Sequence, residues 1–401
     1  MQDYCRYSWK WMTVATEGAK SATGPLSGIR IVEFAGLGPT PFAAMLLADY
    51  GADVLRIDRK GQAGLSPGDG RQDFLNRSRS SIALDLKSAD GLALARTLIG
   101  KADVLLEGYR PGAMERLQLG PDEALALNSR LIYARMTGWG QSGPLAQKAG
   151  HDINYVALTG GLHMMGSAEA PPPVPLNVVG DFGGGGMLVV SGILAALVER
   201  QSSGRGQIID AAMIDGAALL LTQLYAWKAM GFWTSERAAN LLDGGAYFYR
   251  CYETAEGYVA VGAIEPQFHA ALIAGLGLEL TDFSDHMNRA LWPERSRTLE
   301  ALFKTRTRDE WIAVFEPLDA CVTPVLTQDE AVRHPANISR NVFTGVERAE
   351  PNPAPRFSRT PAQIRSAPTL PGQGGYAALK AWGIPDVEIR ALVARDSLSA
   401  E

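Results

Sequence analysis

The feature that most constrains the fold is an alternation of short β-branched runs with alanine- and leucine-rich stretches, beginning near residue 29 and continuing to about residue 136. Ile29 to Phe34 is followed by Gly36-Leu37-Gly38, a helical stretch from Phe42 to Tyr50 and a second run, Val54 to Ile57. Ile82 to Leu86, a helix over Gly91 to Gly100, Val104 to Leu106 and Leu131 to Met136 extend the series. Strands joined by helices pair in parallel, because each crossover returns the chain to the same edge of the sheet. The expected class is therefore α/β, a large Rossmann-like domain with a parallel sheet, joined to a smaller α+β domain.

The smaller domain is expected where the pattern changes. After about residue 213 come long helices, short strands around Tyr247 to Tyr252 and Tyr258 to Val261, and helices again to Leu318. This assigns residues 25–212 and 340–401 to the large domain and 213–339 to the small one, with 1–24 as an N-terminal extension. The proline-rich tract from His334 to Thr369 reads as an extended strap returning to the large domain. Gly180 to Gly186 reads as a turn opening an apolar helix that ends near Arg200.

The bulk properties exclude several partners. A formal net charge of -5 gives no general attraction to nucleic acid or anionic membranes. The longest apolar run, Met187 to Val198, is shorter than the roughly 20 residues a bilayer requires. Cys5, Cys251 and Cys321 are odd in number and widely separated, which fits neither a disulfide framework nor a zinc site. No metal is expected, and a reducing compartment fits best. The first 24 residues lack the apolar core of a secretory signal, and the terminal Ser-Leu-Ser-Ala-Glu is not a peroxisomal address, so the cytoplasm is expected.

Gly36-Leu37-Gly38 after a strand, with Asp58 about twenty residues on, imitates a dinucleotide-binding fingerprint. Pro41 stands where the third glycine belongs, and Pro39 precedes it, which compromises the helix packing and free amides of that motif. Acid–base side chains gather elsewhere, in Gly150-His151-Asp152-Ile153-Asn154-Tyr155 and in Asn177-Val178-Val179-Gly180-Asp181. Both precede expected helix starts, where orphan amides and the helix dipole stabilise negative charge. Taken singly, Asp152 or Asp181 reads equally well as a helix cap, His151 as a structural histidine, and Glu265 before Pro266 as helix-end electrostatics.

In order along the chain, GHDINY (150–155), PLNVVGDFGG (175–184), LDGG (242–245), GAIEPQF (262–268) and DACVTPVL (319–326) resemble the α-methylacyl-CoA racemases, a branch of the class III CoA-transferase superfamily. The resemblance runs from about Pro25 through Leu326. It implies two bases on opposite faces of one substrate carbon, His151 and Asp181. Glu265 resembles the residue paired with that histidine, Asn177 the one beside the aspartate, and the backbone around Asp152 the part that meets the thioester oxygen. It also places Arg59, Ser78, Arg79, Ser80, Ser81, Gly108, Tyr109, Arg110 and Arg116 around the nucleotide phosphates and adenine of CoA. Gly150, Asn154 and Tyr155 would lie along the pantetheine. No separate cofactor is implied, since CoA is part of the acyl-CoA substrate. The family forms interlocked homodimers with shared active sites, so Glu265 would reach His151 from a partner subunit. A CoA-transferase using Asp181 as nucleophile is the nearest alternative, and an acyl-CoA-binding protein without catalysis a more distant one.

Overall fold

The computed structural model describes residues 24–61 and 70–401, and the expected N-terminal extension lies outside the described residues. Six parallel strands form the main sheet: β1 (Arg30–Phe34), β2 (Asp53–Arg59), β3 (Ser80–Leu84), β4 (Val104–Glu107), β5 (Ile132–Thr137) and β6 (Gln207–Ala212). Their spatial order is β3-β2-β1-β4-β5-β6, and the short strand Leu398–Ser399 adds to β3 antiparallel. This is the mixed α/β architecture with a mostly parallel sheet that the alternation implied. Strands covered on both faces read as continuous apolar runs, which is why Ile31, Val32, Phe34, Leu55, Ile57, Leu105, Ile132 and Tyr133 are all buried.

Buried charges cross the centre of this sheet. Arg79 and Glu33 form a fully buried ion pair, and Arg79 Nη2 also donates to Asn76 Oδ1 at 2.7 Å. Burial pushes the Glu33 carboxyl up, against the downward pull of Arg79 and Arg56. Beside it, Arg56 Nε donates to Asp58 Oδ2 at 2.7 Å, and the Ser81 hydroxyl donates to the same oxygen at 2.5 Å. Ser81 in turn accepts from the Gly372 amide at 2.8 Å, while Ser78 Oγ accepts from the Arg365 amide at 2.9 Å. Ser78, Arg79 and Ser81, expected beside the phosphates, are buried here, the two serines bonded to the returning chain and Arg79 to Glu33 and Asn76. Arg77 does similar work between Asp49, at 2.6 Å, and Glu350, at 2.7 Å.

The described residues divide into two compact units, 24–61, 70–149, 181–213 and 350–401 against 150–180 and 214–349. Residues 150–180 therefore belong with the second unit, against the expected boundary, and so do 340–349. Hydrogen bonds from Tyr225 Oη to the Thr159 carbonyl (2.7 Å) and from Arg237 Nη2 to the Ala170 carbonyl (2.8 Å) fasten them there. The strap also contains a helix, Pro335–Arg340, rather than extended chain alone.

Gly180 to Gly186 is not a turn. The segment Val178–Met187 is π-helical and runs straight into the α-helix Leu188–Ser203. The whole run of 26 residues is long and apolar enough to cross a membrane by length and composition, contrary to the estimate from Met187 to Val198. A core helix passes the same test, and here Val189, Val190, Ile193, Ala196 and Leu197 are buried, with the helix packed on β5 and β6.

The second unit carries a three-stranded antiparallel sheet, β7 (Tyr249–Glu253), β8 (Tyr258–Gly262) and β9 (Val322–Pro324). Its core is aromatic, with Tyr247, Phe248, Trp292, Phe303 and Trp311 buried and Tyr247 and Phe248 edge-on to the buried His269. Burial, the neighbouring His286 imidazole and the Arg295 guanidinium lower the pKa of His269 to about 4. As pH falls from 6.5 to about 4, the unfolded chain takes up a proton that folded His269 refuses. Stability is then expected to fall by up to about 1.4 kcal/mol per pH unit through that window. Urea unfolding at stepped pH tests this, and a His269→Phe variant keeping the same slope would contradict the assignment.

Candidate functional site

In a doubly wound sheet the carboxyl ends of the strands diverge where the strand order reverses, here between β1 and β4. Two glycines line the loops at that point. Gly38 has φ of +64°, and a Cβ there would stand 3.2 Å from Asp181 Oδ2. Gly108, following β4, leaves no room for a side chain because a Cβ would meet Thr40 Oγ1 at 2.3 Å. The absent side chain at Gly38 lets the half-buried Asp181 approach the loop that follows β1, and that at Gly108 lets Thr40 pack against the end of β4. Phe182 stacks on Phe42 at 4.5 Å and 14°, fixing the π-helical segment against the helix Pro39–Asp49. The result is a carboxyl group in a first helical turn at the carboxyl edge of the sheet.

A cleft of about 490 Å³ opens at the same edge, beyond β2 and β3. Arg59, Lys60 and Lys87 line it beside Asp58 and Asp85, and Tyr109 and Leu117 give it apolar surface. Lys60 is tied to Asp396, while Arg59 and Lys87 are exposed. Tyr109 is held in place by its own amide, which donates to the buried Glu107 carboxylate at 2.7 Å, and Glu107 is paired with Arg135 at 3.1 Å. Burial, with the charge of Glu107, pushes the Tyr109 hydroxyl up to about 12, so it stays a neutral donor. Arg110 follows directly, and Arg116 ends the next short helix, Ala113–Arg116, both exposed.

The expected residues Arg59, Gly108, Tyr109, Arg110 and Arg116 thus gather near this edge. The Ser78 to Ser81 group does not, because Ser80 pairs with Leu55 at the amino end of the strands and Arg59 pairs with Leu84 at the other. Sequence reasoning missed Leu84 to Lys87, which line the cleft. The available signal was positional: residues leaving a parallel strand face the ligand edge.

In the second unit, His151 caps the helix Asp152–Leu158 and is exposed. Asn154 Oδ1 accepts from the His151 amide at 3.0 Å, and the buried Tyr155 donates its hydroxyl to the Gly150 carbonyl at 2.5 Å. Asp152 is buried, and its Oδ2 accepts from the Gly180 amide at 2.6 Å. A Cβ at Gly180 would lie 2.9 Å from that oxygen. The Asp152 carboxylate thus joins two motif segments, and the Tyr155 hydroxyl braces the loop that carries His151.

Asn177 is exposed just before the π-helical segment. Glu265 is exposed at the start of the helix Pro266–Gly275, after a loop held by two backbone bonds, Gly262 N–H to Cys321 O at 2.9 Å and Ala263 N–H to Phe248 O at 2.8 Å. Among the described residues of one chain, no ion pair joins Glu265 to His151. The first unit carries the Asp181 carboxyl and a cleft lined by basic side chains suited to phosphates; the second carries the His151 imidazole and the Glu265 carboxylate, groups suited to moving protons.

Residues 26–374 match the model of CoA-transferase family III. The chain is 47% identical over 369 residues to the α-methylacyl-CoA racemase of Mus musculus, covering 91% of this chain and 95% of that protein. To the racemase of Homo sapiens it is 46% identical over 342 residues, covering 84% and 87%. Among solved structures, a CAIB/BAIF family protein from Brucella suis superposes with a TM-score of 0.73 at 25% identity, covering 86% of this chain and 96% of that one.

Proposed function

Because the chain belongs to CoA-transferase family III, we propose that it is an α-methylacyl-CoA racemase, interconverting the (2R) and (2S) epimers of 2-methylacyl-CoA thioesters. The observation that carries this reading is the Asp181 carboxyl, admitted by Gly38 to the carboxyl edge of the sheet that also holds the cleft lined by Arg59, Lys60 and Lys87. Arg59, Lys87, Arg110 and Arg116 hold the phosphates of CoA, and Tyr109 lies against the adenine. The Gly150 to Tyr155 strip runs along the pantetheine, with the backbone at Asp152 toward the thioester oxygen. CoA arrives as part of the substrate, and the reaction takes no separate cofactor.

The α-proton of a thioester is far less acidic than either base, so the enolate needs oriented N–H donors in a site shielded from water. His151 removes the proton from one face while Asp181 delivers one to the other, and the reverse reaction exchanges the roles. Glu265 pairs with His151, and in this reading it comes from the partner subunit of an interlocked homodimer. Exposed apolar side chains in the second unit, including Leu158, Leu219, Leu220 and Phe232, support such an assembly. We place the enzyme in the cytoplasm.

The deciding experiment incubates one 2-methylacyl-CoA epimer with the protein in deuterated water. Epimerisation with α-deuterium incorporation, and no added acceptor, is the expected result. Turnover that requires a free carboxylate acceptor would instead identify a transferase. Arg59→Ala and Lys87→Ala are each expected to raise KM about ten-fold, the worth of one hydrogen bond to a charged group, with kcat nearly unchanged. Steady-state kinetics at low and high salt check this, since added salt must raise the wild-type KM.

A further inference from the structure

Beside the Glu265 loop lies a polar cluster that the reaction scheme does not use. His269 and His286 stack at 4.4 Å and 15°, with Phe248 edge-on to both rings. His269 Nε2 lies 2.7 Å from Tyr247 Oη, and Arg295 Nη1 donates toward the same oxygen at 3.4 Å. A guanidinium only donates, so Tyr247 Oη accepts from Arg295 while sharing a second hydrogen bond with His269 Nε2. Arg295 also donates to the carbonyls of Asp282 and Ser284, at 3.0 and 2.7 Å, fixing the segment that leads to His286. Trp292 Nε1 donates to the His286 carbonyl at 2.8 Å.

His286 is thereby located by its backbone and by the face of its ring, and its remaining edge has a definite target. Nε2 stands 2.9 Å from the Ile264 carbonyl, which only accepts, so Nε2 carries a proton. Ile264 immediately precedes Glu265. The Gly262 and Ala263 amides are already held, and the Glu265 carbonyl accepts from the His269 amide at 2.9 Å. The His286 ring anchors the peptide between these points.

We propose that His286 is a positioning residue for the reaction, its Nε2–H holding the Ile264 carbonyl so that Glu265 is presented in one place to His151. This rests on the reading that Glu265 serves His151. The ring itself touches no substrate. Its contribution is geometric, and displacement of a reacting group's partner by about 1 Å is enough to cost one to two orders of magnitude in rate.

His286→Phe keeps a ring to stack on His269 and removes the donor, whereas His286→Gln returns an N–H near the Nε2 position. The expected result is a fall in kcat of about ten-fold for His286→Phe with KM within about two-fold, and recovery of most of that loss in His286→Gln. Glu265→Gln alone must lower kcat, and adding His286→Phe to it must cost nothing further, because both changes disable the same step. The proposal is overturned if the two losses multiply, if His286→Gln behaves as His286→Phe, or if His286→Phe keeps full turnover while Glu265→Gln does not. A Glu265→Gln enzyme with unchanged kcat removes the reading of Glu265 and the proposal together. Circular-dichroism melting of each variant separates lost positioning from lost folding, and a kcat loss that tracks a fall in Tm counts against positioning.

Discussion

Asp181→Asn is expected to slow interconversion of 2-methylacyl-CoA epimers about 10³-fold, within the range that a positioned acid or base contributes. The more telling expectation concerns what survives. His151 still removes the α-proton from the epimer whose hydrogen it faces, and in deuterated water it returns a deuteron to that same face. Asp181→Asn should therefore exchange one epimer without inverting it. His151→Gln leaves Asp181 as the sole base and should exchange the other epimer, again with retention. NMR of each pure epimer with each variant reads this directly. Loss of exchange for the same epimer in both variants would mean that the two groups do not serve opposite faces.

Arg79→Met is expected to destabilise the protein by about 3–5 kcal/mol, since it strands the buried Glu33 carboxylate without a counter-charge. Replacing both partners, Glu33→Met with Arg79→Met, should recover most of that loss, because two apolar side chains of similar volume leave no charge to desolvate. Denaturant unfolding of the three variants measures the cycle. The folded fraction of Arg79→Met should keep its KM for acyl-CoA, which distinguishes a sheet-binding arginine from a phosphate ligand. A ten-fold rise in KM with unchanged stability would restore the ligand role.

The Arg79 case shows where sequence reading stopped. The β1, β2, β4 and β5 runs were legible because strands buried on both faces leave continuous apolar stretches. The Arg77 to Ser81 cluster had the composition of an anion site, but composition does not say which end of a strand faces the ligand. That depends on pairing, Ser80 with Leu55 and Leu84 with Arg59, and the ligand-facing end turned out to be Leu84 to Lys87. His151, Asp181 and Glu265 were readable as candidates only through the order of several motifs, since each alone fits a helix cap equally well.

The glycines at 180 to 186 misled for a related reason. They read as a turn because glycine bends chains, yet at two of these positions they serve close packing. A Cβ at Gly186 would strike the Phe42 ring at 2.5 Å, and one at Gly180 would strike Asp152. Nothing local in the sequence separates a glycine that frees the backbone from one that admits a neighbour. The assignment of residues 150–180 failed similarly, because the bonds from Tyr225 and Arg237 that fix them come from residues far along the chain.

The pairing of Leu398–Ser399 with β3 sets an order of events for synthesis. Until residues 398 and 399 have left the ribosome, β3 presents a free row of amides and carbonyls at the rim of a nearly finished sheet, while the whole second unit is still being made. Such a rim recruits strands from other chains. Nascent protein should therefore depend on chaperones late in translation, and shortening the chain by its last few residues should raise aggregation while sparing the second unit's own folding.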